Sequence, residues 1–359
     1  MPAEVFPAGE YLSDELEARG WSQEDFAGII GRPVQFVSEI VNGKKEITPE
    51  SATQIGAALG TSAETWLNLQ ARFRLWQLSQ EPNFEASGSR VTSRACVASI
   101  IPLTVLEKRG VIGPDEDPDH LLAEVMRDFN MTSGDDEPRF RLAAKRTNPD
   151  DGLTLTQRGW LWAAQRLARE TVLPAYDKAA LRKLADGLAR ELSEPRDLER
   201  LPERFAEVGV HLVFVEHLPG GKIDGASFML DGHPVIALSG RGKRFDKLFF
   251  ALMHEVAHVL SGHVSDGVVL DDAADQPQTK ARGKQEVEAN EFAEALALGG
   301  RVRIARPITA RSVEAKAAEL DVPVAFVVGN LQHHGDLDWR TTIARGLPNA
   351  DDVLRAWSM

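Results

Sequence analysis

The segment Phe245–Leu260 constrains this chain more than any other, because it is apolar nearly all round and yet carries two histidines and a glutamate. A helix without a polar face folds buried. Into it the sequence sets His254, Glu255 and His258, the string HEVAH, before Gly262 stops the run. Imidazoles at i and i+4 share one helical face a turn apart, a span that one zinc ion bridges. A glutamate beside the first histidine stands next to such a metal, where it can take a proton from water. The plain alternative, two histidines satisfied in a core, must bury those groups; left unpaired they cost on the order of several kcal/mol. The spacing predicts a metal centre with His254 and His258 as ligands and Glu255 as general base.

A catalytic zinc needs a third protein ligand and an open position. The next helical stretch, Lys284–Leu298, offers Glu286 and Glu288 in its first turns. Glu286 is in phase with Ala289, Ala293 and Leu296, a small apolar face suited to packing on the HEVAH helix. Glu288 is in phase with Glu291 and Ala295, a more solvated side. Glu286 is therefore the expected ligand, with Glu288 the alternate. Asn290, one turn beyond Glu286, is placed to support a ligand by a hydrogen bond. His263 and Asp266 are further candidates, although His263 follows Gly262 and lies past the helix end. An oxyanion donor is also required. The chain has only Tyr11 and Tyr176, and His217, His233, His263, His333 and His334 stay open for that role. Adjacent His333 and His334 point apart and read as a surface pair.

Ahead of the metal helix, Val210–Val215, Gly225–Leu230 and Pro234–Leu238 read as short strands, the last two joined by an Asp231-Gly232 turn. Val235–Leu238 is expected to be an edge along which an extended peptide pairs. The run Arg241–Arg244 with Lys247 reads as a solvated loop, or as a device that steers an acidic substrate.

ALMHEVAHVLSGH followed by EVEANEFA, with GASFMLDGHPVIALS before and AAELDVPVAFVVGNLQHHG behind, resembles the ImmA/IrrE metallopeptidases over about residues 200–336. The resemblance implies a zincin fold with a glutamate third ligand, hence His254, His258 and Glu286 on zinc and Glu255 as base. It also implies a protein substrate, typically a DNA-bound repressor with a helix-turn-helix, cleaved to release stress or mobile-element genes. ALALGG departs from the family's leucine-rich, proline-ended stretch after the ligand helix.

The N-terminal segment alternates helical stretches with marked turns. Tyr11–Arg19 stops at Gly20; Ser22 caps Gln23–Ile30; Pro33 opens a third helix ending at Asn42-Gly43; Thr48 with Pro49 opens a fourth; Ser62 caps a fifth. Such spacing is helix-turn-helix architecture. The strings SEIVNGKKEIT and TSAETWLNLQA, within about residues 8–77, resemble the XRE class and, within it, the HigA-type antitoxins. The resemblance implies double-stranded operator DNA as partner, with Val34, Gln35 and Glu39 at base edges, flanked by Pro33 and Ser38. Gln23, Arg32, Lys44 and Lys45 would contact phosphates. Dimerisation through the fifth helix would add affinity.

Charge weighs against tight autonomous DNA binding. The chain's 41 basic and 54 acidic residues give −13, and residues 1–80 hold six basic against eleven acidic. One cysteine, Cys96, excludes a disulfide framework or a cysteine zinc site. No apolar run approaches the roughly 20 residues of a membrane span, and no signal peptide is visible, so a cytoplasmic protein is expected.

The fold class expected is α+β: an all-α helix-turn-helix domain (1–80), a helical connector (81–200), a zincin-like domain with a small sheet and the HExxH helix (201–345) and a C-terminal tail helix (346–359). Within the connector, residues 80–92 read as a linker, SGDDEPR and NPDDG as loops, and of Trp160 and Trp162, which do not share a helical face, one reads as core and the other as an interdomain surface. The function expected is a zinc endopeptidase with its own regulatory DNA-binding domain, cleaving a repressor, an antitoxin or itself in a stress or toxin–antitoxin response. The alternative is a regulator whose zincin domain senses zinc or a partner without cleaving.

Overall fold

The computed structural model describes residues 5–82, 84–133, 136, 138, 153–272 and 283–357, and the side chains of Asp266, Asp271 and Asp272 are not among what it describes. The loops expected around 133–139 and 148–152 fall largely outside that set. The chain forms two compact units, residues 1–92 and 93–359.

The first unit is all-α: α1 (Ala8–Arg19), α2 (Gln23–Ile30), α3 (Val34–Val41), α4 (Pro49–Leu59), α5 (Ala63–Ser79) and the start of α6 (Phe84–Ile100). Local chemistry sets these boundaries. Ser22 Oγ accepts from the Asp25 amide at 3.1 Å while Asp25 accepts from the Ser22 amide at 3.0 Å, a closed capping box. Thr48 with Ser51 and Ser62 with Thr65 cap α4 and α5. Leu12, Leu16, Phe26, Val37, Ile40, Ile55 and Trp66 form one buried core. Helix α1 lies so close to α3 that a Cβ on Gly9 would stand 2.1 Å from the Ile40 carbonyl oxygen.

The second unit continues through the rest of α6, α7 (Leu103–Lys108), α8 (Pro118–Asp128), α9 (Leu155–Ala168), α10 (Lys178–Glu191) and α11 (Leu201–Glu207). The strands are β1 (His211–Phe214), β2 (Ile223–Leu230), β3 (His233–Leu238) and β4 (Val269–Asp272). Between β3 and β4 runs α12 (Phe245–Ser261), and after β4 come α13 (Lys284–Leu298), α14 (Ala310–Leu320), α15 (Val324–His333) and α16 (Asp351–Trp357). The sheet order is β1-β3-β2-β4, with β1 parallel to β3 and β2 antiparallel to both neighbours. Strand alternation divides the core. Ala226, Phe228, Val235 and Ala237 face a layer that includes Trp160, Leu161 and Ala164 of α9. Ile236 and Leu238 face Phe249, Leu252, Met253 and Val256 of α12, in a core that α10, α13 and α15 share. The α+β class is as the sequence predicts, as is each N-terminal helix cap.

Three expectations are corrected. Residues 84–92 are helical rather than a linker: α6 runs through Gly88, which costs about 1 kcal/mol in a helix, and its buried residues Ser93, Val97 and Ile100 begin only in its second half. Trp160 and Trp162 are both buried, at 1% and 0% exposure, in one core. The Trp160 indole donates to the Val215 carbonyl at 2.8 Å, and Arg166 covers the Trp162 ring at 5.1 Å. Strand β3 is central, paired on both sides, and so offers no edge to a peptide.

Candidate functional site

Helix α12 carries the HEVAH residues inward and ends at Gly262, whose φ of 77° turns the chain back on itself. His254 is 8% exposed, and Glu255 and His258 have no exposed surface. Their sequence neighbours Val256, Ala257 and Val259 are buried in the core that fixes the helix. The two imidazoles bring their Nε2 atoms to 3.0 Å, with ring centroids 4.6 Å apart.

Helix α13 packs on α12 and presents Glu286 from its first turn. Glu286 Oε2 lies 3.3 Å from His254 Nε2, and Oε1 lies 3.7 Å from His258 Nε2. One donor atom from each of the three falls within 4.8 Å of the others. Burial opposes the charge on Glu286, but hydrogen bonds and charge from His254 and His258 outweigh it and hold the carboxyl well below the usual range. Glu288, the alternate, is 55% exposed at its side chain and sits 4.0 Å from His263.

The groups around this trio bear on what it can hold. His254 Nδ1 lies 2.9 Å from Asn290 Oδ1, the support expected of Asn290. His258 Nδ1 lies 3.0 Å from His263 Nδ1. Glu255 lies beneath β2, where a Cβ on Gly225 would come within 2.7 Å of Oε1. Without a metal, protons on these imidazoles answer the Glu286 carboxylate; with the rings neutral, their lone pairs and the carboxylate would repel one another. A divalent cation held by all three would replace those protons and turn the repulsion into bonding, and this N,N,O set is one that zinc takes, at about 2.0–2.2 Å. The residues fit a metal ion.

The other convergence of potential ligands among the described residues is Glu116, His120 and Glu124. Arg166 spans it, bonded to Glu116 at 2.8 and 2.9 Å and lying 3.5 Å from Glu124, so the carboxylate charge is already answered. The basic run is largely paired too. Arg241 faces Asp224 at 3.7 Å, Lys243 faces Asp351 at 2.6 Å, and Arg244 faces Asp246 at 2.6 Å. Lys247 lies over the exposed Trp339 ring at 5.1 Å. Of the histidines left open, His334 binds Glu294, and His233 Nδ1 lies 3.2 Å from the Gly209 carbonyl oxygen. His217 is half-buried, and burial together with Arg109, Lys243 and Arg241 lowers its pKa. Only His263 contacts the trio, and sequence reasoning set it aside because it lies beyond the helix end.

In the first unit, Pro33, Val34 and Gln35 are exposed at the start of α3, and Ser38 and Glu39 are half-buried one turn on. Glu39 accepts from Gln35 at 3.0 Å and from Lys45 at 3.0 Å. Arg32 donates to Gln54 at 2.9 Å and to Glu50 at 2.7 Å. Two expected phosphate contacts, Arg32 and Lys45, are thus already paired, whereas Lys44 is exposed and Gln23 half-buried.

Residues 12–66 match the helix-turn-helix family, and residues 207–331 match the IrrE N-terminal-like domain, a peptidase family. A Haemophilus influenzae protein described as an uncharacterized HTH-type transcriptional regulator is 37% identical over 84 residues, 23% of this chain and 78% of the relative. An Escherichia coli protein of the same description is 29% identical over 72 residues, 20% of this chain and 73% of the relative. The Pseudomonas aeruginosa antitoxin HigA, solved with the higBA promoter, is 27% identical over 24% of this chain and 91% of its own, with a TM-score of 0.22. No helix among the described residues is long and apolar enough to cross a membrane. The chain belongs to the helix-turn-helix family of transcription regulators through its first unit, and its second unit carries the match to the IrrE N-terminal-like peptidase domain.

Proposed function

We propose that the protein is a zinc-dependent endopeptidase that acts in the cytoplasm and is directed by its own DNA-binding domain. The observation that carries this reading is the convergence of His254, His258 and Glu286 beside the buried carboxylate of Glu255. A zinc ion held by these three would act as a Lewis acid towards a peptide carbonyl and make water more acidic. Glu255 is the group that would take a proton from water there and return it to the leaving amine. Asn290 fixes the ring of His254. Strand β4, paired among the described residues to β2 alone, supplies an edge along which a substrate chain can lie extended.

The substrate class that suits this pairing of domains is a helix-turn-helix repressor or an antitoxin, with the chain itself as a further target. The exposed start of α3 reads operator DNA through Val34 and Gln35, and two-fold pairing of the chain strengthens that binding. Incubating the zinc-loaded chain with the proteins of its neighbouring operon, beside Glu255→Gln, tests the enzyme. Wild type should cut and the variant should not; equal cutting by both removes Glu255 from its role.

The complete burial of Glu255 and His258 favours one second reading. In it the centre holds zinc as a sensor and the domain regulates without cleaving. One equivalent of bound zinc with no cleavage of any partner is the outcome that selects it.

A further inference from the structure

We infer that His263 is a positioning residue of the metal centre, which holds His258 in the one tautomer and orientation that present Nε2 to a cation. This rests on the metal reading above. Its test separates the two.

The argument begins with protons. A neutral imidazole that gives one nitrogen to a metal carries its proton on the other, and that N–H needs an acceptor. For His254 the acceptor is Asn290 Oδ1 at 2.9 Å from Nδ1, supplied by α13. For His258 the atom in that place is His263 Nδ1, at 3.0 Å from His258 Nδ1, with ring centroids 5.1 Å apart. Two nitrogens at that distance share one proton. Because His258 Nε2 is turned to His254 and Glu286, the shared proton belongs to His258 Nδ1, and His263 accepts. His263 then keeps its own proton on Nε2, which faces Glu288 Oε2 at 4.0 Å. The series Glu288, His263, His258 is thus ordered outward to inward, from a 55% exposed side chain to one that is fully buried.

The backbone explains how a residue outside the helix reaches this place. Gly262 has a φ of 77° and is followed by a short 3-10 turn, His263–Asp266, which brings the fifth residue after His258 back against its ring. The contact lies on the Nδ1 side of His258, behind the three donor atoms and not among them. His263 therefore supports a ligand and is not itself the third one. A ring that is 7% exposed could also serve packing alone, so the test must separate shape from hydrogen bonding.

Asparagine places Oδ1 where histidine has Nδ1, keeping the acceptor with less volume. Leucine keeps volume and has no acceptor. Zinc affinity of the full chain is measured by chelator competition for wild type, His263→Leu and His263→Asn, with the visible spectrum of the cobalt-substituted proteins as a second readout. His263→Leu should weaken zinc by roughly 10–100-fold and alter the cobalt spectrum, and His263→Asn should recover most of both. If His263→Leu unfolds, His263→Ala replaces it and the same ordering is required. Leucine as good as wild type, or asparagine no better than leucine, overturns the inference and leaves the three-residue site standing. A wild type that binds no zinc overturns the metal reading, and this inference with it.

Discussion

Replacing Gly225 by alanine should disable the chemistry while leaving the metal in place. A Cβ there would stand 2.7 Å from Glu255 Oε1, 3.1 Å from Cγ and 3.2 Å from Cδ. The closest of these is shorter than the roughly 3.5 Å of an optimal contact by about 0.8 Å. Strand β2 cannot retreat, because Gly225 pairs with Leu238 on one side and with Asp271 on the other. Glu255 must give way, inside a helix whose surroundings are closed. Overpacking of this kind costs about 1–3 kcal/mol, and displacing a catalytic group by about 1 Å lowers turnover on the order of 100-fold. Glu255 is not one of the three donors, so zinc content should not change. The assay is the cleavage rate on the substrate identified with Glu255→Gln, beside metal analysis and thermal unfolding. A Gly225→Ala chain that cuts at the wild-type rate with full zinc would refute the placement of Glu255 under β2.

Further outcomes are expected. Glu286 has a pKa below its unfolded value of 4.5, so in the metal-free protein its charge adds stability that is fully present above that value. That contribution is lost as pH falls through the acid range; the unfolding midpoint of Glu286→Gln should show a weaker acid dependence than wild type, and identical pH profiles would contradict the pairing. Gly9→Ala meets the Ile40 carbonyl oxygen at 2.1 Å and should destabilise the first unit by at least about 1–3 kcal/mol, read by circular dichroism; an unchanged melting curve would contradict the close approach of α1 and α3. On operator DNA, Lys44→Ala should reduce the salt slope of binding by about one, whereas Gln35→Ala should relax base preference at about 1–3 kcal/mol with the slope retained. Equal effects of both on slope and preference would remove the assignment of α3.

What could be read from sequence was what local chemistry sets. Ser22, Thr48 and Ser62 announce their helices because a cap acts within three residues. His254, Glu255 and His258 announce a candidate metal-binding helix because their spacing acts within one turn, and helical phase alone favours Glu286 over Glu288, which is the carboxylate that lies beside the two histidines. The illegible parts depend on long-range contacts. Trp162 is buried in the same core as Trp160, one that residues of α7 and α8 share, which no i,i+2 spacing reveals. Strand β4 carries two aspartates and pairs through β2, far off in sequence. His263 stayed one candidate among several because helical phase ends at Gly262, whereas the left-handed turn there brings it back against His258.

Zinc bound per chain tests the central claim most directly, measured by elemental analysis on wild type, His258→Ala and Glu286→Ala. One equivalent in wild type that is lost from both variants is the result expected. No zinc in wild type, or a full equivalent retained without Glu286, would contradict the centre described.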